Sequence, residues 1–215
     1  MWITQPAADW DEWVSDAADA LSNDTLHDVV EQFNLVPSFA QSEGVTGAVH
    51  EGALHVVGDF KQPKLLAAVQ GDLTVDGMLS TQEIDGWDGN ATLVVFGDLH
   101  CSQLINDWAS LIIVTGDCTV TDWTFIARED SAFIVGGDFT TPFFVGADIW
   151  ASVGGRAEMD AGYGYALDLN SGGPVVRPAK GWHESALQLG LPAKDEEAFM
   201  IALETRLHET GSIRL

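Results

Sequence analysis

A Gly-Asp pair set among apolar residues recurs five times between residues 58 and 138. The copies are Gly58-Asp59, Gly71-Asp72, Gly97-Asp98, Gly116-Asp117 and Gly137-Asp138. Their glycines are 13, 26, 19 and 21 residues apart, and Gly155 follows the last of them after a further 18 residues. A mean interval of about 20 residues is typical of one coil of a parallel β-solenoid.

Apolar residues alternate on both sides of each pair. Two and four residues before each glycine, and two residues after it, all fifteen side chains are apolar. Such alternation indicates strands with one side facing a core, and stacked coils align these positions into ladders with a rise of about 4.8 Å. We interpret each pair as a coil corner, because glycine permits a sharp bend and aspartate can accept hydrogen bonds from nearby amides. The unequal first two intervals predict a short coil followed by a long one.

The position three residues before each glycine is predicted to point away from the core. Four of the five copies hold an apolar residue there, namely Ala68, Val94, Ile113 and Ile134, and the first copy has His55. Since a strand face in water normally carries polar residues, we expect this face to be covered. The chain's own helices are the preferred cover, and a partner protein is the alternative.

Helical patterns flank the repeat. Apolar spacing predicts helices around residues 10–21 and 24–33, and a C-terminal helix that Asp195 caps and Gly211 ends, preceded by a short helix over 184–189. The sequence therefore predicts a mainly β fold, a single-stranded parallel β-helix (solenoid) of about five to six coils of roughly 20 residues, with helical segments capping or covering it. The predicted divisions are an N-terminal helical segment (1–42), the β-solenoid (43–168), and a linker with a C-terminal helical segment (169–215).

The charge is strongly unbalanced. The 215 residues include 33 Asp and Glu but nine Lys and Arg, a formal net charge of −24. No cation precedes Lys61, and none falls between Lys64 and Arg128. The chain lacks a basic stripe for nucleic-acid phosphates, and an anionic membrane would repel it. A protein with a basic surface is the natural partner, and whether the chain also forms a homodimer stays open.

Compartment and chemistry follow from a few further signals. The N-terminus has no signal-peptide pattern, no run of 18 apolar residues occurs, and two cysteines favour a reducing compartment, so a cytoplasmic location is expected. Cys101 and Cys118 are predicted to be buried free thiols on successive coils. The column of corner aspartates has a period too long for the nine-residue Ca²⁺-binding repeat, which favours corner capping. No metal-ligand spacing or nucleophile motif is found, so we expect no metal, no cofactor and no catalysis.

Tryptophans recur between the corners, three of them beside aspartates. Aromatic and acidic residues in turns suit the recognition of a cationic surface. The predicted contact residues for a partner are Asp85, Trp87, Asp88, Asp107, Trp108, Asp122 and Trp123. The alternative is that each tryptophan packs over the edge of a coil.

The run Val69-Gln70-Gly71-Asp72-Leu73-Thr74-Val75 resembles the coil signature of bacterial polymer-forming β-solenoids of the bactofilin type. The resemblance covers roughly residues 45–160 and implies a solenoid that polymerises through its coil ends. This chain departs from bactofilins in its irregular coils and in the helices predicted at both ends, which would block end-to-end stacking.

The small, acidic, motif-poor chain also resembles, in general character, the immunity proteins of bacterial polymorphic-toxin and type VI effector systems. That resemblance implies a non-enzymatic protein that neutralises a cognate toxin, with an acidic surface occluding a basic active-site cleft in place of phosphate. Two alternatives stay open. One is a bactofilin-type cytoskeletal scaffold, and the other is a carbohydrate-active β-helix enzyme with a pair of carboxylates in a cleft.

Overall fold

The structure, a computed structural model, describes residues 1–20, 35–37, 40, 44–82, 89–163, 175–176 and 181–214. In these ranges the chain is mainly β and forms a parallel β-solenoid of about six turns, with three helices. The helices are α1 (Ala7–Ala20), α2 (Trp182–Leu189) and α3 (Glu196–Thr210). The strands are β1 (Trp2–Pro6), β2 (Thr46–Glu51), β3 (Leu54–Val56), β4 (Phe60–Lys61), β5 (Leu66–Gln70), β6 (Leu73–Ser80), β7 (Thr92–Val95), β8 (Leu99–Asp107), β9 (Leu111–Val114), β10 (Cys118–Val135), β11 (Phe139–Val153), β12 (Ala157–Tyr163) and β13 (Val175–Val176).

The coils stack their strands into three faces, and the strands within each face are parallel to one another. The first face consists of β2, β5, β7 and β9, followed by the ends of β10 and β11. The second consists of β3, the starts of β6, β8, β10, β11 and β12, and then β13. The third consists of β4 and the later parts of β6, β8, β10, β11 and β12. In addition, β1 pairs antiparallel with β2 at the outer edge of the first face.

One side of each strand fills the interior between the faces. The side chains two residues before the last four repeat glycines are fully buried: Val69, Val95, Val114 and Val135. They belong to one cluster with Cys101 and Cys118, which are both free thiols. The cysteines lie on neighbouring coils, but Cys101 is in register with Val120, two residues beyond Cys118. The predicted inward side and the two buried free cysteines are confirmed.

The first Gly-Asp pair lies on a different corner from the other four, so the predicted short first coil is wrong. It is β3, and not β4, that pairs with the start of β6 directly after the Gly71 corner. The counterpart of Gly71 in the first coil is therefore Gly52, 19 residues earlier. Gly58-Asp59 lies between β3 and β4, where the second face meets the third. Both corners carry the same local pattern, and only the pairing between coils distinguishes them.

The corrected register also accounts for His55, the one polar exception among the outward positions. The residue aligned with Ala68 on the first face is Val49, whereas His55 lies on the second face opposite Thr74. The outward positions of the first face are then apolar and buried in its first five strands: Val49, Ala68, Val94, Ile113 and Ile134. In the sixth, Ser152 stands opposite Ile134 and is half-buried.

The N-terminal segment covers the first face. Trp10 and Val14 of α1 are fully buried, four residues apart on one side of the helix. They form one hydrophobic cluster with Leu35, Val36 and the outward residues of the first face. The helix predicted over 24–33 lies outside the described residues.

The C-terminal helices cover the third face. Outward residues of its later coils, among them Phe125 and Phe143, are buried in a cluster with Leu189 of α2 and with Phe199 and Leu203 of α3. As the sequence predicts, α3 begins after Asp195, whose Oδ1 accepts a hydrogen bond from the Ala198 amide at 2.9 Å. It ends at Gly211, which has a φ of 70°. The described helices therefore lie against two of the three faces.

Candidate functional site

The outward side of the second face is the polar side of the solenoid. We call it the open face. A single column in register across six coils consists of His55, Thr74, His100, Thr119, Thr140 and Glu158. All six are exposed or half-buried, whereas most outward residues of the other two faces are buried. Since a partner can reach a sheet only where its side chains meet solvent, the open face is the sheet surface that is accessible along all six coils of the described solenoid.

A row of carboxylates borders the open face at the corner with the first face. This acidic ladder consists of Asp72, Asp98, Asp117 and Asp138, and all four side chains are exposed. In each case Oδ1 accepts a hydrogen bond from the backbone N–H at the equivalent position of the next coil, at 2.7–2.9 Å. The last of these hydrogen bonds is donated by the Arg156 amide to Asp138 Oδ1. The carboxylates are thus fixed in a line by the coil geometry.

The same hydrogen bonds explain why glycine precedes Asp98, Asp117 and Asp138. A methyl group on Gly97 would lie 2.5 Å from Asp72 Oδ1 and 2.7 Å from the carbonyl carbon of Gly71. No side chain fits there while the carboxylate of the preceding coil caps the corner. Asp59 does the same at the other corner, where its Oδ1 accepts from the Met78 amide at 2.8 Å.

The acidic ladder has a high linear charge density. Neighbouring strands lie about 4.8 Å apart, so the ladder carries one carboxylate for about every 4.8 Å. One strand of B-DNA carries one phosphate for about every 3.4 Å. At the C-terminal end of the chain, Arg206 makes internal contacts, because it donates hydrogen bonds to the Leu189, Gly190 and Ile213 carbonyls.

The four predicted contact residues that the structure describes do not form one surface. Trp123 is fully buried on the third face beneath the C-terminal helices, so its expected exposure in a turn is wrong. Asp122 is half-buried and pairs with Arg214 at 3.0 Å. Asp85, Trp87 and Asp88 lie outside the described residues. The error at Trp123 arose because the sequence repeat showed two strands of each coil but not the third.

Asp107 and Trp108 do lie together, at a pocket of 270 Å³ between the third face and α3. We call it the helix pocket. Its lining residues are Met78, Gln82, Ile105, Asp107, Trp108, Phe125, Glu204, Leu207, His208 and Gly211. Trp108 is 39% exposed, whereas Asp107 is 1% exposed. The Asp107 carboxylate accepts hydrogen bonds from the Trp108 amide at 2.9 Å and from Gln82 Nε2 at 3.1 Å.

A buried polar network holds the strand that carries Asp107. Thr81 Oγ1 donates to Asn106 Oδ1 at 3.1 Å, and Asn106 Nδ2 donates to the carbonyls of Ser110 and Ala132 at 3.0 and 2.9 Å. The Asp107 amide in turn donates to Thr81 Oγ1 at 3.3 Å. Because these groups satisfy one another, the end of β8 and the turn after it are held in one position.

The described residues offer little reactive chemistry. They contain no group of three or more His, Cys, Asp or Glu side chains placed to hold a metal ion. Burial raises the pKa of Cys101 to about 12. Burial, together with nearby Cys101 and Asp117, raises that of Cys118 well above its ordinary value. Both thiols therefore stay protonated and unreactive near neutral pH. In the part of the chain that is described, no helix has the length and apolarity to cross a bilayer.

Sequence reasoning missed the open face and half of the helix pocket. A signal for the open face exists, because its residues stand three positions after the corner glycines, with Gly52 counted as the first. No comparable signal marks Glu204 and His208, which α3 brings to the pocket from a distant part of the chain. Comparisons with protein-family models, with curated proteins and with solved structures found no match.

Proposed function

We propose that this chain is a non-enzymatic acidic binding protein, an immunity protein that neutralises a cognate bacterial toxin by occluding a basic active-site cleft. The observation that carries the proposal is the acidic ladder along the edge of the open face. It combines a regular array of carboxylates with the solenoid face whose outward column meets solvent in all six coils.

The ladder suits a protein that normally binds a nucleic-acid backbone. Its carboxylates are held by hydrogen bonds between coils, so little side-chain freedom is lost when a row of Lys or Arg contacts them. The net charge of −24 adds long-range attraction, which raises the association rate with a basic partner. The toxin is inhibited because the solenoid occupies the cleft that its substrate needs.

The test is to replace the four ladder aspartates by asparagine. Asparagine retains a side-chain oxygen that can accept the amide hydrogen bond of the next coil, while the charge is lost. With the toxin encoded beside this protein, or one that co-purifies with it, we expect the quadruple variant to bind at least tenfold more weakly, about 1.4 kcal/mol, with a flatter salt dependence.

A matched control removes the same charge from α1, with Asp9, Asp16 and Asp19 changed to Asn and Glu12 to Gln. All four side chains are exposed, on a helix that packs against the first face. If the control loses as much affinity as the ladder variant, net charge alone drives binding and the ladder is not the contact surface. Unchanged affinity of the ladder variant contradicts the proposal outright. Asp85, Trp87 and Asp88 stay a sequence-based prediction of further contact residues.

The scaffold function is a second candidate, favoured by the edges of the first coil. Within the described residues, β3 and β4 each pair only with β6, so a second solenoid could add strands there. On the first face, by contrast, β1 already occupies the corresponding edge. Sedimentation velocity over a hundredfold concentration range distinguishes the two candidates. A concentration-dependent polymer supports the scaffold, and a stable monomer or dimer contradicts it.

The carbohydrate-active alternative has one observation in its favour, because Asp107 and Glu204 line the same pocket. However, Asp107 is nearly inaccessible, and the pocket is smaller than the usual 300–1,000 Å³ of ligand sites. Release of reducing ends from a panel of bacterial polysaccharides, lost in the Glu204→Gln variant, would establish this activity and overturn the non-enzymatic proposal.

A further inference from the structure

The helix pocket lies on a different side of the molecule from the acidic ladder. Strands of the third face contribute Met78, Ile105 and Phe125, and α3 closes the other side with Leu207. These side chains form apolar walls. The polar groups stand among them at defined points and do not cover the whole lining, as is usual for a pocket that orients a specific ligand.

Three features give the pocket a negative potential. Asp107 belongs to its lining as a nearly buried residue, and Glu204 is contributed by α3. The pocket also lies at the C-terminal end of the 15-residue helix α3, marked by Leu207, His208 and Gly211. A helix C-terminus carries partial negative charge. A cationic group is therefore the ligand that complements this pocket.

Trp108 narrows the choice of cation. Trp108 lines the pocket and is 39% exposed, and its backbone has a φ of 53° in the turn after β8. Guanidinium is planar, stacks on indole rings and donates several hydrogen bonds in one plane to carboxylates, which a compact ammonium cannot do. A volume of 270 Å³ suits one side chain better than a larger ligand.

We propose that the helix pocket binds the guanidinium group of an arginine side chain. The Glu204 carboxylate accepts its N–H groups, and the Trp108 ring stacks on its plane. The aliphatic part of the side chain contacts Leu207 and Met78, and the buried Asp107 adds negative charge without touching the ligand. As an anchor for one arginine of the toxin, the pocket rests on the proposed function. Its affinity for arginine does not.

The probe is Nα-acetyl-L-arginine methyl ester, which carries a single charge on its guanidinium group. Binding is followed by the indole N–H signal of Trp108 in ¹⁵N NMR spectra, assigned through its absence in Trp108→Phe. We expect a saturable shift with a dissociation constant in the millimolar range. Glu204→Gln should weaken it about tenfold, and Asp138→Asn, on the acidic ladder, should leave it unchanged.

Two related esters test the chemistry. The norleucine ester lacks the charge, and an equal shift with it would show an apolar pocket. The lysine ester carries an ammonium, and equal affinity for it would remove the assignment to guanidinium. Absence of any Trp108 shift up to about 50 mM arginine ester also overturns the inference. The ladder proposal still stands after that result if the ladder variant loses toxin affinity. Conversely, a saturable Trp108 shift supports arginine binding even if the ladder variant keeps its full toxin affinity.

Discussion

Replacing Gly97 by alanine should destabilise the solenoid, although glycine-to-alanine changes in regular structure usually stabilise. Gly97 has no positive φ, so the loss of unfolded-state entropy alone would add about 0.4–1 kcal/mol of stability. The new methyl group would however lie 2.5 Å from Asp72 Oδ1, and 2.7 and 2.8 Å from backbone atoms of Gly71 and Asp72. Neither the carboxylate nor the coil beneath can stay in place.

The expected cost has two parts. Displacing the Asp72 carboxylate breaks its 2.9 Å bond to the Asp98 amide, worth about 1–2 kcal/mol at an exposed corner. Pushing the two coils apart adds the strain of overpacking, about 1–3 kcal/mol. After the entropic gain, Gly97→Ala should cost about 1–4.6 kcal/mol, with a central value of about 3 kcal/mol. A loss of about 3 kcal/mol lowers the melting temperature by about 6–12 °C in a chain of this length.

A double-mutant cycle isolates the carboxylate. Asp72→Ala alone should cost about 1–2 kcal/mol, and Asp72→Asn much less, because it keeps the acceptor oxygen. In the variant with both alanines the hydrogen bond is lost only once, so its cost should fall below the sum of the single variants by about 1 kcal/mol. Urea unfolding followed by tryptophan fluorescence measures all four proteins. The reasoning is refuted if Gly97→Ala is as stable as the natural chain, or if the two alanine substitutions are additive.

Other predictions follow from burial and from the C-terminal contacts. Trp123→Ala, at a fully buried position, should cost about 3–5 kcal/mol in urea unfolding, and Trp108→Ala much less; equal costs would contradict the placement of Trp123. In the native protein the two thiols, both buried, should be alkylated by iodoacetamide only as fast as the chain unfolds, and a fast phase would refute their burial. Since the unfolded chain releases the thiol protons above their ordinary pKa of 9.0 while folded Cys101 holds its proton to about 12, stability should fall as the pH rises above about 9. The urea midpoint between pH 8 and 10.5 measures this, and a Cys101→Ala, Cys118→Ala variant should show a shallower decline. Arg206→Ala removes three donor contacts to carbonyl groups and should speed hydrogen exchange in α2 and α3 while leaving β7 and β9 unchanged.

The parallel solenoid could be predicted because its signals are local. A strand with one side in the core alternates every second residue, and a corner needs glycine next to a capping side chain. Both can be recognised in a single segment such as residues 93–99. The helical caps Asp195 and Gly211 are local in the same way, so the predicted bounds of α3 agree with those observed.

The candidate site could be predicted only in part. The sequence shows a column of aspartates that would form a negative stripe at an edge. Whether the sheet face beside that edge is open to solvent depends on which faces the helices cover. Trp108 was correctly placed in a turn, whereas Trp123 is covered by helices contributed from about 60 to 90 residues away along the chain. Burial against a distant segment leaves no pattern around the residue itself.

The amino-acid sequence by itself thus determined the coil, its inward side, its glycine-aspartate corners and the excess of negative charge. Tertiary structure alone decided that Gly52 and not Gly58 begins the register, that the second face stays open, and that Asp107, Trp108 and Glu204 meet in one pocket. The physical reason is that propensity and alternation act between neighbours in the chain. Register and coverage are set by hydrogen bonds and apolar contacts between segments that only folding brings together.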